Sequence, residues 1–236
     1  MEDTAIVVCL HGDELYGLEV ADKISKKIPL FIGNPLAIEK RKRYVDKDLN
    51  RVFPGDLNGT TYEEKRAAHL LKELKDYKYI IDIHSSSCDL ELFGIITKPA
   101  PCKLELAKKL KLKKIVLMSE EFGKNSSLID HVGCGISLEI GPHEKKENIE
   151  KIIEVINNTC NGEECSEPKM FKVFDSIKGD AVNYFIKNFK PVKKGDLIAK
   201  GEKDYYAEFD FIPLFVGEKA YKGILCLATK EVNSLY

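Results

Sequence analysis

The sequence predicts an α/β fold, a sheet flanked by helices, with a smaller all-β portion at its C-terminal end. Two observations lead there. Short β-branched runs alternate with amphipathic stretches as far as Cys160. The polar, turn-rich stretch NGEECSEP then breaks the pattern, and beyond Met170 the hydrophobic period falls to two, as in MFKVFDSI and YYAEFDFIPLF.

In chain order, strands are expected at Ala5–Leu10, Pro29–Ile32, Tyr79–Ile83, Lys114–Met118 and Ile136–Ile140, where apolar runs are short and bounded by polar or turn residues. Helices are expected at Glu14–Lys27, Thr61–Lys75, Cys102–Leu110 and Ile149–Cys160. The second has Thr60 or Thr61 as N-cap and Glu63 or Glu64 reaching back, and the last has Ile152, Ile153 and Ile156 on one face. From about Glu167 to Tyr236 a compact β module is expected, with Gly195 and Gly201 as turn glycines in KPVKKGDLIAKG. At ~150 residues per domain, a chain of 236 residues accommodates one large domain with a smaller appendage.

Lys and Arg number 37 against 38 Asp and Glu, so no single-sign field points to nucleic acid or anionic lipid. No apolar run approaches the ~18 residues of a spanning helix, and two acids, Glu2 and Asp3, precede the first apolar run, so a cytoplasmic protein is expected. Seven cysteines, at 9, 88, 102, 134, 160, 165 and 226, show no paired CxxC spacing. Cys9, Cys134 and Cys226 read as core residues, while Cys160 and Cys165 are either a local disulfide or two free thiols.

The first strand runs into His11-Gly12-Asp13-Glu14, where two metal-ligand types three positions apart can face one point. A catalytic zinc of the His₂Glu type needs one more histidine and leaves a position open. His84 ends the apolar run YIIDI, and in α/β sheets ligands gather beyond the carboxyl ends of strands. Asp82, two residues earlier on the same strand face, is positioned to orient an imidazole. His69 lies mid-helix as a surface or packing residue, and His131 and His143 could approach a pocket but have no partner at ligand spacing.

Two further stretches call for chemistry. Arg43 and Arg51, with Asn50 beside the second, suit a site that grips a carboxylate and an oxyanion, because guanidinium forks match both. The adjacent Lys40-Arg41-Lys42-Arg43 could otherwise be a solvated basic patch or a nucleic-acid contact, though it lacks interleaved aromatics. Glu139 interrupts an apolar strand, so it is either a general base or half of a buried ion pair with an arginine.

The set His11-Gly12-Asp13-Glu14, Asn34-Pro35-x-Ala37, Arg43-Tyr44, Asp48-Leu49-Asn50-Arg51-x-Phe53, Asp82-x-His84 and Glu139-x-Gly141-Pro142, spanning about residues 6–143, resembles the aspartoacylase/succinylglutamate desuccinylase family of the zinc carboxypeptidase clan. The resemblance implies a zinc-carboxypeptidase-like mixed sheet flanked by helices over residues 1–166 and a β-rich domain over 167–236. It implies a deacylase that hydrolyses the amide bond of an N-acyl amino acid, with one Zn²⁺ per chain. His11, Glu14 and His84 match the metal ligands, and Glu139 matches the residue that takes a proton from the attacking water. Arg43 matches the arginine that helps polarise the scissile carbonyl, Asn50 and Arg51 the pair that holds the α-carboxylate, and Tyr221 the tyrosine that reaches into the site.

One departure bears on substrate. Aspartoacylases carry an arginine shortly before the catalytic glutamate to hold the aspartate side chain, whereas Asn125–His131 here contains none, and Lys124 is the only substitute nearby. N-acetylaspartate is therefore not the expected best substrate. Two other readings remain: a zinc carboxypeptidase acting on small peptides, distinguished by pocket access, and a catalytically silent metal-binding protein, for which a buried base has no use. A homo-oligomer is left open.

Overall fold

A computed structural model of the protein describes residues 3–24, 28–118, 122, 124–142, 144–157 and 166–234. His143, Cys160 and Cys165 lie outside the described residues, as do the last residues of the helices expected to reach Lys27 and Cys160.

The first part of the chain forms β1 (Thr4–Val8), α1 (Tyr16–Lys23), β2 (Leu30–Ile32), α2 (Pro35–Glu39), a 3₁₀ turn (Leu49–Arg51), α3 (Tyr62–Leu74), β3 (Tyr79–Ser85), β4 (Phe93–Ile96), α4 (Pro101–Lys109), β5 (Lys114–Leu117), β6 (Cys134–Ile140) and α5 (Lys146–Asn157). The remainder is all β: β7 (Lys169–Lys178), β8 (Asn183–Tyr184), β9 (Leu197–Lys200), β10 (Asp204–Tyr206), β11 (Ile212–Leu214) and β12 (Ile224–Val232). Helix α3 starts as its sequence dictates, with the Thr61 hydroxyl accepting from the Glu64 amide and the Glu64 carboxylate accepting from the Thr61 amide.

Nine strands form one mixed sheet in the order β11-β12-β7-β5-β4-β6-β3-β1-β2, and β10-β9-β8 form a small antiparallel sheet. The run β2-β1-β3-β6 is parallel, β4 is antiparallel to β6, and β4-β5-β7 is parallel again. Strand β4 was not expected from its sequence, a four-residue run with Gly94 inside it. The C-terminal segment is therefore more than an appendage, because β7 pairs in parallel with β5 and carries the sheet on to β12 and β11.

Alternation along the strands divides the core. Ile6, Val8, Ile81, Ile83, Ile136 and Leu138 point to the side packed by α1, α4 and α5. Ala5, Val7 and Ile80 face α3 through Ala67, Leu70 and Leu74. On that second side, Phe93, Ile95 and Val116 lie under Phe171, Val173, Leu214, Phe215 and Leu227 of the C-terminal segment. Asp82, His84, Ser137 and Glu139, which alternate with the first set, thus emerge on the second side, between the α3 cover and the C-terminal cover. Cys9, Cys134 and Cys226 are buried core residues, and His69 is exposed on α3. Among the described residues no helix is long and apolar enough to cross a membrane.

The shared core predicts that a fragment ending at Ser166 cannot stand alone. It would uncover Phe93 and Val116, worth ~1.5–3 kcal/mol each when buried, and leave β5 as an open edge. Such a fragment is expected to lack a cooperative melting transition by calorimetry, and a monomeric fragment that melts cooperatively would establish independent domains.

Candidate active site

The loop after β1 carries His11 and Glu14, and its path is dictated by a close approach. A Cβ on Gly12 would sit 2.2 Å from the Ala37 carbonyl carbon, so only glycine lets this loop lie against α2. The Gly12 amide donates to the Arg43 carbonyl at 3.0 Å, tying this loop to the one that carries Arg43. His11 Nδ1 is 2.8 Å from Glu14 Oε1, and His84 Nδ1, at the end of β3, is 3.5 Å from Glu14 Oε2. One ligand atom from each of His11, Glu14 and His84, all three buried, lies within 4.8 Å of the others.

Outer groups orient both imidazoles. His84 Nε2 is 2.7 Å from Asp82 Oδ2, which also accepts from the Ser137 hydroxyl at 3.2 Å. His11 Nε2 is 3.2 Å from Asp48 Oδ1, and with Nδ1 as the ligand atom it carries the hydrogen and Asp48 accepts it. Asn50 lies beneath His84, with Nδ2 3.4 Å from His84 Nε2 and Oδ1 accepting from the Leu128 amide at 2.9 Å. Asp82 therefore plays the orienting part read from its spacing, and Asp48, seen in the sequence only as part of a motif, does the same for His11.

The electrostatics favour positive charge at the centre of the cluster. Burial works to raise the Glu14 pKa, but His11 and His84 outweigh it and hold the carboxyl down at about 2. Burial works to lower both imidazoles, yet Glu14 with Asp48 lifts His11, and Asp82 with Glu14 lifts His84. Glu14 Oε2 is a buried oxygen without a hydrogen bond among the described residues. A two-imidazole, one-carboxylate donor set with an unsatisfied anionic oxygen fits a divalent cation.

Glu139 stands beside His84 in the parallel register of β3 and β6. It is half-buried and, among the described residues, has no ion pair with a lysine or arginine. Burial pushes its carboxyl up to about 8, with the His84 charge opposing and Glu14 reinforcing the rise. Arg43 is held through its Nε and Nη2, which both donate to Asp48 Oδ2, at 3.2 and 3.1 Å. Arg43, Arg51 and Tyr221 line one cavity of about 290 Å³, while Glu14 and Arg43 line a second of about 340 Å³ with Ser85–Ser87 and Glu218. Burial pushes the Tyr221 phenol up to about 12, so it stays protonated at neutral pH. Lys124 is exposed and outside both cavities, and His131 Nε2 is 3.0 Å from the Asn125 carbonyl.

Two carboxylates hold the loops in place, Glu63, which the sequence offered only as an alternative to Glu64 in capping α3, and Glu218, to which it gave no role. Glu63 is fully buried and accepts from the Val45, Asp46 and Lys47 amides at 2.7, 3.0 and 3.2 Å, fixing the chain between Arg43 and Asp48. The signal was present, since Glu63 shares the helical face of Ala67, Leu70 and Leu74 while Glu64 does not. Glu218 accepts from the Ser87 amide at 2.8 Å, the Ser87 hydroxyl at 2.9 Å, the Cys88 amide at 3.3 Å and the Ala220 amide at 3.0 Å. It clamps the loop bearing Tyr221 onto the chain leaving His84. Glu218→Gln turns an NH₂ group toward these donors and is expected to cost about 1–3 kcal/mol in chemical denaturation, with metal binding by titration unchanged. Unchanged stability would show that the clamp carries no load.

Comparison with known proteins places this geometry. Residues 1–160 match the succinylglutamate desuccinylase/aspartoacylase catalytic domain. A probable aspartoacylase of Prochlorococcus marinus is 28% identical over 283 aligned positions, covering 98% of this chain and 94% of the relative. An N-acyl-aromatic-L-amino acid amidohydrolase (carboxylate-forming) of Xenopus tropicalis is 23% identical, covering 100% of this chain and 94% of its own. The fold is that of murine aminoacylase 3, with a TM-score of 0.81 at 18% identity over 97% of this chain and 95% of that one. It is likewise that of a succinylglutamate desuccinylase/aspartoacylase from Rhodobacter sphaeroides, at 0.74 and 16% over 98% and 86%. With its first 160 residues matched throughout, the chain belongs to the succinylglutamate desuccinylase/aspartoacylase family.

Proposed function

We propose that this protein is a zinc-dependent deacylase that hydrolyses the amide bond of an N-acyl amino acid in the cytoplasm, releasing a carboxylate and a free amino acid. The observation that carries the reading is the convergence of His11, Glu14 and His84 on one point, with Glu139 on the neighbouring strand and, among the described residues, without an arginine partner. The printed activities of the relatives, aspartoacylase and N-acyl-aromatic amino acid amidohydrolase, support the same bond class.

His11, Glu14 and His84 would hold the ion, one per chain. A zinc ion there supplies a water of lowered pKa and polarises the amide carbonyl. Glu139 accepts the proton of the attacking water and delivers it to the leaving nitrogen, which could not depart as an anion. The same carboxyl carries the proton from the first step to the second. Arg43, anchored by Asp48, donates to the developing oxyanion. Arg51, with Asn50 beside it, holds the α-carboxylate, and the protonated Tyr221 donates a hydrogen bond in the same cavity.

Cavity size favours a small amide over a peptide. At about 290 Å³ the space beside Arg51 lies at the floor of the ~300–1,000 Å³ range of ligand pockets, and Ala220, Tyr221 and Ile224 of the C-terminal segment wall it.

The test is release of free amine by zinc-loaded protein with two variants. Glu139→Gln is expected to lower kcat by at least ~10²-fold while zinc content and Tm stay near wild type, because the amide keeps the shape and loses the proton shuttle. His84→Ala is expected to lose metal and activity together, since two protein ligands are too few. Near wild-type turnover in Glu139→Gln, or a full equivalent of zinc in His84→Ala, would overturn the assignment.

A further inference from the structure

The cavity beside Arg51 has two unlike walls. One is charged: Arg43, Asp48 and Arg51. The other is apolar, formed by Met118 and Phe122 beyond β5 and by Tyr221, Ile224 and Leu227 from the C-terminal segment. In the deacylase reading the oxyanion takes Arg43 and the α-carboxylate takes Arg51, so no third cation is left in the described lining for a second carboxylate. Lys124, the only candidate stand-in that the sequence offered, is exposed and outside the cavity.

We propose that this cavity receives the side chain of the substrate's amino acid and selects an apolar one, with Met118, Ile224 and Leu227 as the specificity-determining residues; this rests on the deacylase reading above. A carboxylate entering the cavity would lose its hydration without gaining a partner and would face Asp48. An aliphatic or aromatic side chain would gain from leaving water against Met118, Ile224 and Leu227. The selection is thus made largely by the C-terminal segment, whereas the groups assigned to bond cleavage lie in the first part of the chain.

The register of the sheet suggests how to reverse the preference. Ser176 of β7 pairs with Leu227 of β12 and lines the same cavity, and both Ser176 and Ile224 are only half-buried, so each can carry a longer side chain. The experiment measures kcat/KM on zinc-loaded protein for methionine, leucine, phenylalanine, aspartate and glutamate, each offered in the formyl, acetyl and succinyl series. Wild type is expected to favour the apolar members over the acidic ones by roughly 10²-fold, the scale on which a polar mismatch is rejected. Ile224→Arg, and independently Ser176→Arg, is expected to shift that ratio toward the acidic substrates by at least ~10-fold by supplying the missing cation. Turnover with an acidic preference in wild type, or a ratio unmoved in both folded variants, would overturn this inference and leave the deacylase reading standing. No turnover of any member in any series would remove both.

Discussion

Glu14 is a carboxylate buried between two imidazoles, and much of the site is arranged around that fact. An anion taken out of water must find opposite charge, and here it is met by His11 from the loop after β1 and by His84 at the end of the adjacent parallel strand β3. The requirement spreads outward. Each imidazole has its own carboxylate behind it, Asp48 for His11 and Asp82 for His84, and Asp48 in turn holds Arg43. Negative groups thus surround a centre that calls for a cation, and the arginine assigned to the carbonyl stands against one of them, Asp48.

The fold supplies this arrangement through strand alternation and two unequal covers. Period two places Asp82, His84, Ser137 and Glu139 on one face of β3 and β6, and neither α3 nor the C-terminal segment covers that face completely. Substrate space is what lies between the covers. Because the C-terminal segment shares the main sheet through β7, it can hold Tyr221, Ile224 and Leu227 at fixed positions over a centre built more than a hundred residues earlier, and Glu218 locks the contact. On the proposed reading, bond cleavage and substrate choice are divided between two stretches of one core.

The parts of this arrangement that could be read from the sequence are those with local causes. Apolar runs ending in His11 and His84 announce strand ends with ligand-type residues, and Thr61 with Glu64 announces the start of α3. Glu139 within an apolar strand signals a carboxylate that needs a reason. What could not be read depends on pairing or on burial from a distance. Strand β4 is a short run with a glycine, and α2 is a five-residue turn of helix read only as an Asn34-Pro35 motif. The β5–β7 ladder joins segments that no local pattern connects, and Glu218 looks like any loop acid until Ser87 and Cys88 are folded against it.

The account stands or falls on what surrounds the metal. Zinc K-edge X-ray absorption on the zinc-loaded protein tests that directly, because the chain also has seven cysteines that could bind the ion elsewhere. The predicted spectrum has a first shell of nitrogen and oxygen alone at ~2.0–2.2 Å, with the outer-shell scattering of two imidazoles and a carboxylate. A sulfur shell at ~2.3 Å would contradict the assignment and move the metal, and the chemistry built around it, away from His11, Glu14 and His84.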